Sequence, residues 1–366
     1  MIVPGGVDKS RRKRIIPVLL SLIERLALNH ELVVIALRQY EQPCQYPLAG
    51  AQIVNFGAPA GEARIQRLTR YRRTLSEVAA QHGRPDIIHA FWANDSGLLG
   101  GLAGKWWGVP VVLSIGGGEL TWLPQIAYGG QGSWISRRRI AWAIRLAAVV
   151  TGGSRFVCNQ LPSQRSIWLP LGVDTDRFSP APTRRAEIPY QLIQVATLND
   201  VKDQATLLQA FVQVRDVCPD VNLHLVGLDI LNGRLHRLAQ QLSISDAVKF
   251  HGPVANDELL PLYHQAHVYV QSSLHESQGV AVCEAAACGV PTVGTAVGLV
   301  AEMAPSAATA LPIADPPALS AAIIDLLQSP QSRERLGNAA RAWAREYNAN
   351  WTASQFENLY QRVIDS

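Results

Sequence analysis

The chain has 366 residues, too many for one ordinary domain and enough for two of roughly 150 to 200 residues, each with its own core. It is 48% hydrophobic and 17% charged, with 28 Gly and 22 Pro, which excludes a collagen, a coiled coil and a disordered tail. The net charge of +4 conceals an asymmetry: residues 1–180 hold 21 Lys and Arg against 11 Asp and Glu, a net of +10, and residues 181–366 hold 12 against 18, a net of −6.

Short apolar runs alternate with longer helical patterns in both halves, the signature of parallel sheets wrapped by helices. In the first half the pattern predicts strands at 32–37, 53–56, 87–90, 111–114, 149–152 and 166–169, and helices at 15–28, 62–82, 94–107 and 136–148. A doubly wound domain opens on a strand that ends at a Gly-rich loop facing a ligand. Pro4-Gly5-Gly6 has the composition of that loop, with only Met1 to Val3 before it, so the natural start is expected a few residues upstream. After a linker at 176–189, strands are predicted at 191–196, 222–226, 248–251, 268–271 and 292–294. Helices are predicted at 204–218, 234–242, 257–264, 279–288 and 317–328, followed by one or two aromatic-faced amphipathic helices over 339–363.

No apolar run reaches the roughly 18 to 20 residues of a spanning helix, and the start lacks the features of a secretory signal, so a cytoplasmic address is expected. Five Cys without C-x-x-C spacing suggest neither a disulfide framework nor a zinc site, and no His pair has H-E-x-x-H spacing. Basic residues cluster at 9–14, at 64–73 (Arg64, Arg67, Arg70, Arg72, Arg73) and at 137–139. Two readings stand for these clusters: a solvated helix face, or contact with an anionic partner such as a membrane surface or a phosphorylated acceptor.

The richest stretch is 268–302: a strand, a loop with Glu276, Gly279 at a helix start, Glu284 within that helix, then Gly289 and Pro291 ending it. Backbone N–H groups at Gly279, Val280 and Ala281 begin the helix, and such N-termini suit phosphates. Glu284, one turn further in, has the acceptors to hold both hydroxyls of a ribose, and Glu276 has those to hold a sugar.

With Glu276, Glu284, Cys288, Gly289 and Pro291 in place, the chain resembles glycosyltransferase family 4, the retaining group 1-type enzymes. The resemblance implies an α/β fold of two Rossmann-like domains (GT-B) facing across a cleft. It implies an acceptor domain at 1–178, a nucleotide-sugar domain at 179–345 and a C-terminal helix at 346–366 crossing back to the first domain. By the same resemblance Glu276 contacts the transferred sugar and is the catalytic candidate, and Glu284 holds the ribose. Lys202 clamps the donor diphosphate, and Gly252, with the strand end before Gly227, lines the nucleotide. The family's second clamp, an Arg, is replaced by Thr197, with Asn199 as a polar substitute; a Phe and a Gly of the sugar loop are replaced by Gln278 and Ser277.

In the first half, Gly5 and Gly6, and Gly116 and Gly117, are candidates to bring backbone N–H groups to the donor phosphate or acceptor. Gly116 stands where the family commonly has a His, so a mechanism needing that imidazole is not expected. Glu119 either orients an acceptor hydroxyl or caps a turn. The implied reaction is transfer of a sugar from a nucleotide-diphosphate donor to a hydroxyl of a glycan, lipid-linked or small-molecule acceptor, with no cofactor, no essential metal and no nucleic-acid partner. Peripheral contact with an anionic membrane through the basic half is a further expectation. A non-catalytic sugar-nucleotide-binding protein and a sugar-nucleotide epimerase are the alternatives.

Overall fold

A computed structural model describes all residues except 60, 63, 164 and 183–186, and the side chains of 64, 65 and 68 also lie outside the description. The basic candidate Arg64 and part of the predicted linker fall among these. The chain divides into two compact units, Met1–Leu171 with Ala349–Ser366, and Gly172–Asn348. The boundaries expected from the family resemblance lie instead at 178 and 345.

The first unit holds an eight-stranded sheet of β1 (Ile2–Val3), β2 (Val33–Ala36), β3 (Cys44–Leu48), β4 (Ala51–Asn55), β5 (Ile88–Phe91), β6 (Val111–Ile115), β7 (Val149–Gly152) and β8 (Ser166–Trp168). Their order is β3-β4-β2-β1-β5-β6-β7-β8, parallel throughout except for the β3–β4 pair. The strands are apolar on both faces because helices cover both. Along β2, Val34 and Ala36 pack with α1 (Pro17–Leu26) and the final helix α13 (Ala349–Ile364), and Ile35 packs with α2 (Arg64–His82), α3 (Asp95–Trp107) and α4 (Trp134–Leu146). A short helix α5 (Arg155–Cys158) precedes β8. Over the C-terminal stretch, where one or two amphipathic helices are expected, there are two, α12 (Pro330–Glu346) in the second unit and α13 in the first.

The second unit holds a parallel sheet of β9 (Tyr190–Val195), β10 (Val221–Val226), β11 (Val248–Gly252), β12 (Val268–Gln271), β13 (Thr292–Thr295) and β14 (Thr309–Leu311), in the order β11-β10-β9-β12-β13-β14. Around it lie α6 (Gln204–Val217), α7 (Arg234–Gln241), α8 (Leu260–Gln265), α9 (Val280–Ala287), α10 (Gly298–Met303), α11 (Pro316–Gln328) and α12. From β9 the chain steps outward to β10 and β11, then returns to β12 on the other side and steps away again. The loops after β9 and β12 therefore diverge at one carboxyl edge, the place where open α/β sheets bind ligands. In the first unit the same reversal lies between β1 and β5.

Candidate active site

In the second unit the loops that diverge at the switch point are tied to each other. After β9, Asn199 caps a single 3-10 turn, Asp200–Lys202, its Oδ1 accepting from the Lys202 amide at 3.0 Å. Asp203 then caps α6 by accepting from the Thr206 amide and hydroxyl at 3.3 and 2.7 Å. The turn aims Lys202 at the loop after β12, where its Nζ meets Glu276 Oε1 at 2.5 Å. Ser273 Oγ donates to the same oxygen at 2.7 Å, Ser272 Oγ donates to the Lys202 carbonyl at 2.9 Å, and the Leu274 amide donates to the Val201 carbonyl at 2.8 Å. Glu276 is 9% exposed, so its carboxylate is paired and largely desolvated.

The loop is held from its far side as well. Thr295 Oγ1 donates to the Ser273 carbonyl at 2.6 Å, and the Leu299 amide donates to the Gln278 carbonyl at 2.8 Å. Gly298 makes that approach feasible: φ is +56°, and a Cβ there would sit 2.5 Å from the Gln278 carbonyl oxygen and 2.8 Å from Glu276 Cβ.

Gly279, at φ +92°, is the N-cap of α9, and Val280 is its first helical residue. Glu284 lies one turn on, buried, with Oε2 accepting from Tyr263 Oη at 2.7 Å and Oε1 from Asn256 Nδ2 at 3.3 Å. Burial pushes its carboxyl up to about 7 against these hydrogen bonds. Each oxygen keeps a lone pair for another donor. Beside the helix start, Gln271 Nε2 is buried and lacks a hydrogen-bond partner among the described residues. Gly252 ends β11 at φ +67°, its carbonyl accepting from the Gly227 amide at 2.9 Å. Thr197, in the position of the missing Arg, accepts on its carbonyl from Gln204 Nε2 at 3.2 Å. A guanidinium reaches the same loop from elsewhere, since Arg234 at the start of α7 pairs with Asp200.

In the first unit the glycine loops already have partners. The amides of Gly6 and Val7 donate to Gln39 Oε1 at 2.7 and 2.9 Å, and Gly5 lies against the same side chain. Those of Gly117, Ala93 and Gly116 donate to the buried Glu119 carboxylate at 2.6, 3.2 and 3.3 Å. Burial raises the Glu119 carboxyl, and the backbone donors oppose that rise. Of the two readings of Glu119, capping the turn is the one the geometry displays. A ligand that used the Gly117 amide would have to displace it.

Residues 176–343 match the family described as Glycosyl transferases group 1, and residues 15–165 match the Glycosyl transferase 4-like domain. The chain belongs to the group 1 glycosyltransferases. Among relatives of this family, a D-inositol 3-phosphate glycosyltransferase of Arthrobacter sp. (strain FB24) is 28% identical over 78% of this chain and 72% of its own length. A GDP-mannose-dependent alpha-(1-6)-phosphatidylinositol monomannoside mannosyltransferase of Mycolicibacterium smegmatis is 30% identical over 69% of each chain. The fold matches sucrose-phosphate synthase from Thermosynechococcus elongatus (TM-score 0.82, 19% identity, 100% and 98% coverage). It also matches Anabaena HepE solved with UDP and glucose (0.78, 16%, 98% of each chain). Both belong with a GT-B glycosyltransferase fold, so the enzyme class and the α/β architecture of two Rossmann-like units are those expected from the motif residues.

The sequence singles out Lys202, Glu276 and Glu284 but not the groups that hold them. Thr295, Tyr263 and Asn256 carry no spacing signature, because each reaches its partner from another strand, helix or loop, and Ser273, three residues before Glu276 on the same loop, is one of several serines there. Gln39 follows β2 with nothing to mark it, and Trp92, at φ +65° after β5, is visible only in the folded backbone.

Proposed function

We propose that this glycosyltransferase moves a sugar, with retention of anomeric configuration, from a nucleotide-diphosphate donor to an acceptor hydroxyl. The observation that carries the reading is the Lys202–Glu276 pair at the switch point, with Glu284 buried in the helix that follows. The Lys202 ammonium rests on Glu276. Lysine has three N–H donors, so Lys202 can hold a donor diphosphate without releasing that carboxylate. Charge developing on the leaving diphosphate is then met by Lys202 and by the α9 amides at Gly279 and Val280.

Glu276 contacts the transferred sugar, Glu284 accepts from the ribose hydroxyls, and Gly252 bounds the nucleotide. Asn199 serves by fixing the turn that aims Lys202, and Arg234 is the second cation near the loop. The first-unit loops at Gly5, Gly6, Gly116, Gly117 and Glu119 serve the donor phosphate or acceptor only after their internal hydrogen bonds exchange. The reading needs no cofactor or resident metal, and it carries a cytoplasmic address with an anionic membrane as a surface partner. The nucleotide donor is supported by the UDP and glucose in the HepE structure and by the GDP-mannose-dependent relative.

The test incubates the purified protein with UDP- and GDP-sugars and a panel of hydroxyl acceptors, and measures nucleotide diphosphate release. Turnover is expected with at least one donor, and Glu276→Gln should lower it by about two orders of magnitude, the scale of a lost transition-state contact, while nucleotide still binds. Equal turnover by Glu276→Gln removes that residue from the chemistry. Binding without release by the parent favours the non-catalytic alternative.

A further inference from the structure

On the first unit, side chains that ordinarily seek a core lie open to solvent. Trp134, Trp142 and Trp106 are 61, 55 and 48% exposed, and Leu102 and Ile135 are exposed beside them. On α4, Trp134, Arg138, Trp142 and Arg145 follow at intervals of four, four and three residues, so they stand on one face. Arg138 lies 5.4 Å over the Trp134 ring and Arg145 lies 5.9 Å over Trp142, while Arg72 of α2 lies 5.3 Å over Trp106. A shallow groove beside this stripe is lined by Leu98, Trp134, Ile135, Arg138, Arg139 and Trp142.

The charge around the stripe is predominantly basic, with Asp95 at its edge paired to Arg38 and Arg139. Between positions 96 and 148 there are five Lys and Arg and a single acid, Glu119, which is buried under its own loop. Arg139 is bound to Asp95 at 3.2 Å, whereas Arg137, Arg138, Arg145 and Lys105 are exposed. Indole rings with guanidinium groups among them, and no acid between 96 and 148 other than the buried Glu119, suit the headgroup layer of a bilayer, where indoles settle at the interface and cations meet lipid phosphates. The basic cluster at 9–14 suits it less. Lys9 lies over the rings of Tyr40 and Tyr46, Arg14 pairs with Asp8 at 3.2 Å, and Arg11 approaches Glu24 at 3.6 Å.

We propose that α4, with the exposed side of α3, docks the first unit on an anionic phospholipid bilayer. Trp134 and Trp142 enter the headgroup layer, and Arg137, Arg138 and Arg145 contact lipid phosphates. This names the surface for the membrane contact included in the proposed function and rests on that part of it, but not on the catalytic reading, because the surface is defined without reference to Glu276 or Lys202.

Flotation of the full chain with vesicles of phosphatidylcholine, and of phosphatidylcholine mixed with phosphatidylglycerol, tests it. The parent is expected to float with the mixed vesicles alone, with a blue shift in tryptophan emission. Each cation at an anionic surface strengthens binding roughly fivefold, so Arg137→Glu with Arg138→Glu should weaken it by more than about tenfold. Trp134→Ala with Trp142→Ala should abolish the blue shift and most of the binding, with circular dichroism unchanged in both variants. Lys9→Glu with Arg12→Glu should bind as the parent does. The proposal falls if the parent floats with neither vesicle, if the α4 variants float as well as the parent, or if only the Lys9 and Arg12 changes matter. It also falls if light scattering finds a dimer that Trp134→Ala with Trp142→Ala dissociates, since the face would then belong to a second copy.

Discussion

A Cβ at position 116 would stand 2.8 Å from the indole of Trp92, closer than side-chain atoms approach without something shifting. Trp92 is itself held at φ +65°, an uncommon conformation for a bulky residue, and its amide is bonded to the Ser114 carbonyl. The glycine where group 1 relatives commonly carry His is thus matched to a neighbouring ring and does not stand alone. Gly116→His should therefore destabilise the first unit by about 1–3 kcal/mol, the usual cost of overpacking, with no gain in turnover. Adding Trp92→Ala should recover part of the loss by opening space. Urea denaturation of the two variants and the parent decides it, and a Gly116→His protein as stable as the parent would mean the indole simply swings away.

At the scale of one helix, α9 places a carboxyl in a setting that costs stability. Glu284 is raised from an ordinary 4.5 to about 7 by burial. Between those values the folded protein keeps a proton that the unfolded chain has released. Stability therefore falls as pH rises through that window, and the penalty is complete above about 7. Glu284→Gln keeps the shape and removes the ionisation. It should stabilise the protein by about 1–2 kcal/mol near pH 8, with little change near pH 5, while nucleotide affinity drops at both. Denaturation midpoints at the two pH values, together with calorimetric nucleotide titration, separate the effects. An equal effect at both pH values would show that the carboxyl does not titrate in this range.

Helix α9 was legible because Gly279, an apolar run and Gly289-Val290-Pro291 mark both ends. Strand β3 was not, since Gln45 and Pro47 interrupt its pattern; it is an antiparallel edge strand, where a proline is tolerated. The three-residue β14 and six-residue α10 are too short for periodicity to register, yet α10 supplies the glycine on which the Glu276 loop rests. Motif spacing thus singles out the candidate residues, while most of the groups that fix them depend on contacts between distant parts of the chain.

Over the whole molecule, the two units do not follow the order of the sequence, because the chain builds the first sheet, completes the second unit and returns with α13 to the first. The returning helix is part of a core. Phe356 is fully buried, with its ring centroid 4.7 Å from that of His89 on β5, and Leu359, Tyr360 and Val363 are buried with it. A chain of hydrogen bonds continues the contact inward: Tyr360 Oη meets His89 Nδ1 at 2.6 Å, His89 Nε2 meets Ser114 Oγ at 2.7 Å, and Ser114 Oγ meets Thr151 Oγ1 at 2.6 Å. Burial holds His89 well below its ordinary value, so it is neutral and can serve as donor on one nitrogen and acceptor on the other. Phe356→Ala should cost about 3–5 kcal/mol, a large share of the roughly 5–15 kcal/mol that stabilises a domain. Hydrogen exchange should then quicken through Met1–Leu171 as well as α13, with Gly172–Asn348 protected as before. If the faster exchange stayed within 349–366, α13 would be an appendage, and the first sheet would owe its stability to its other helices.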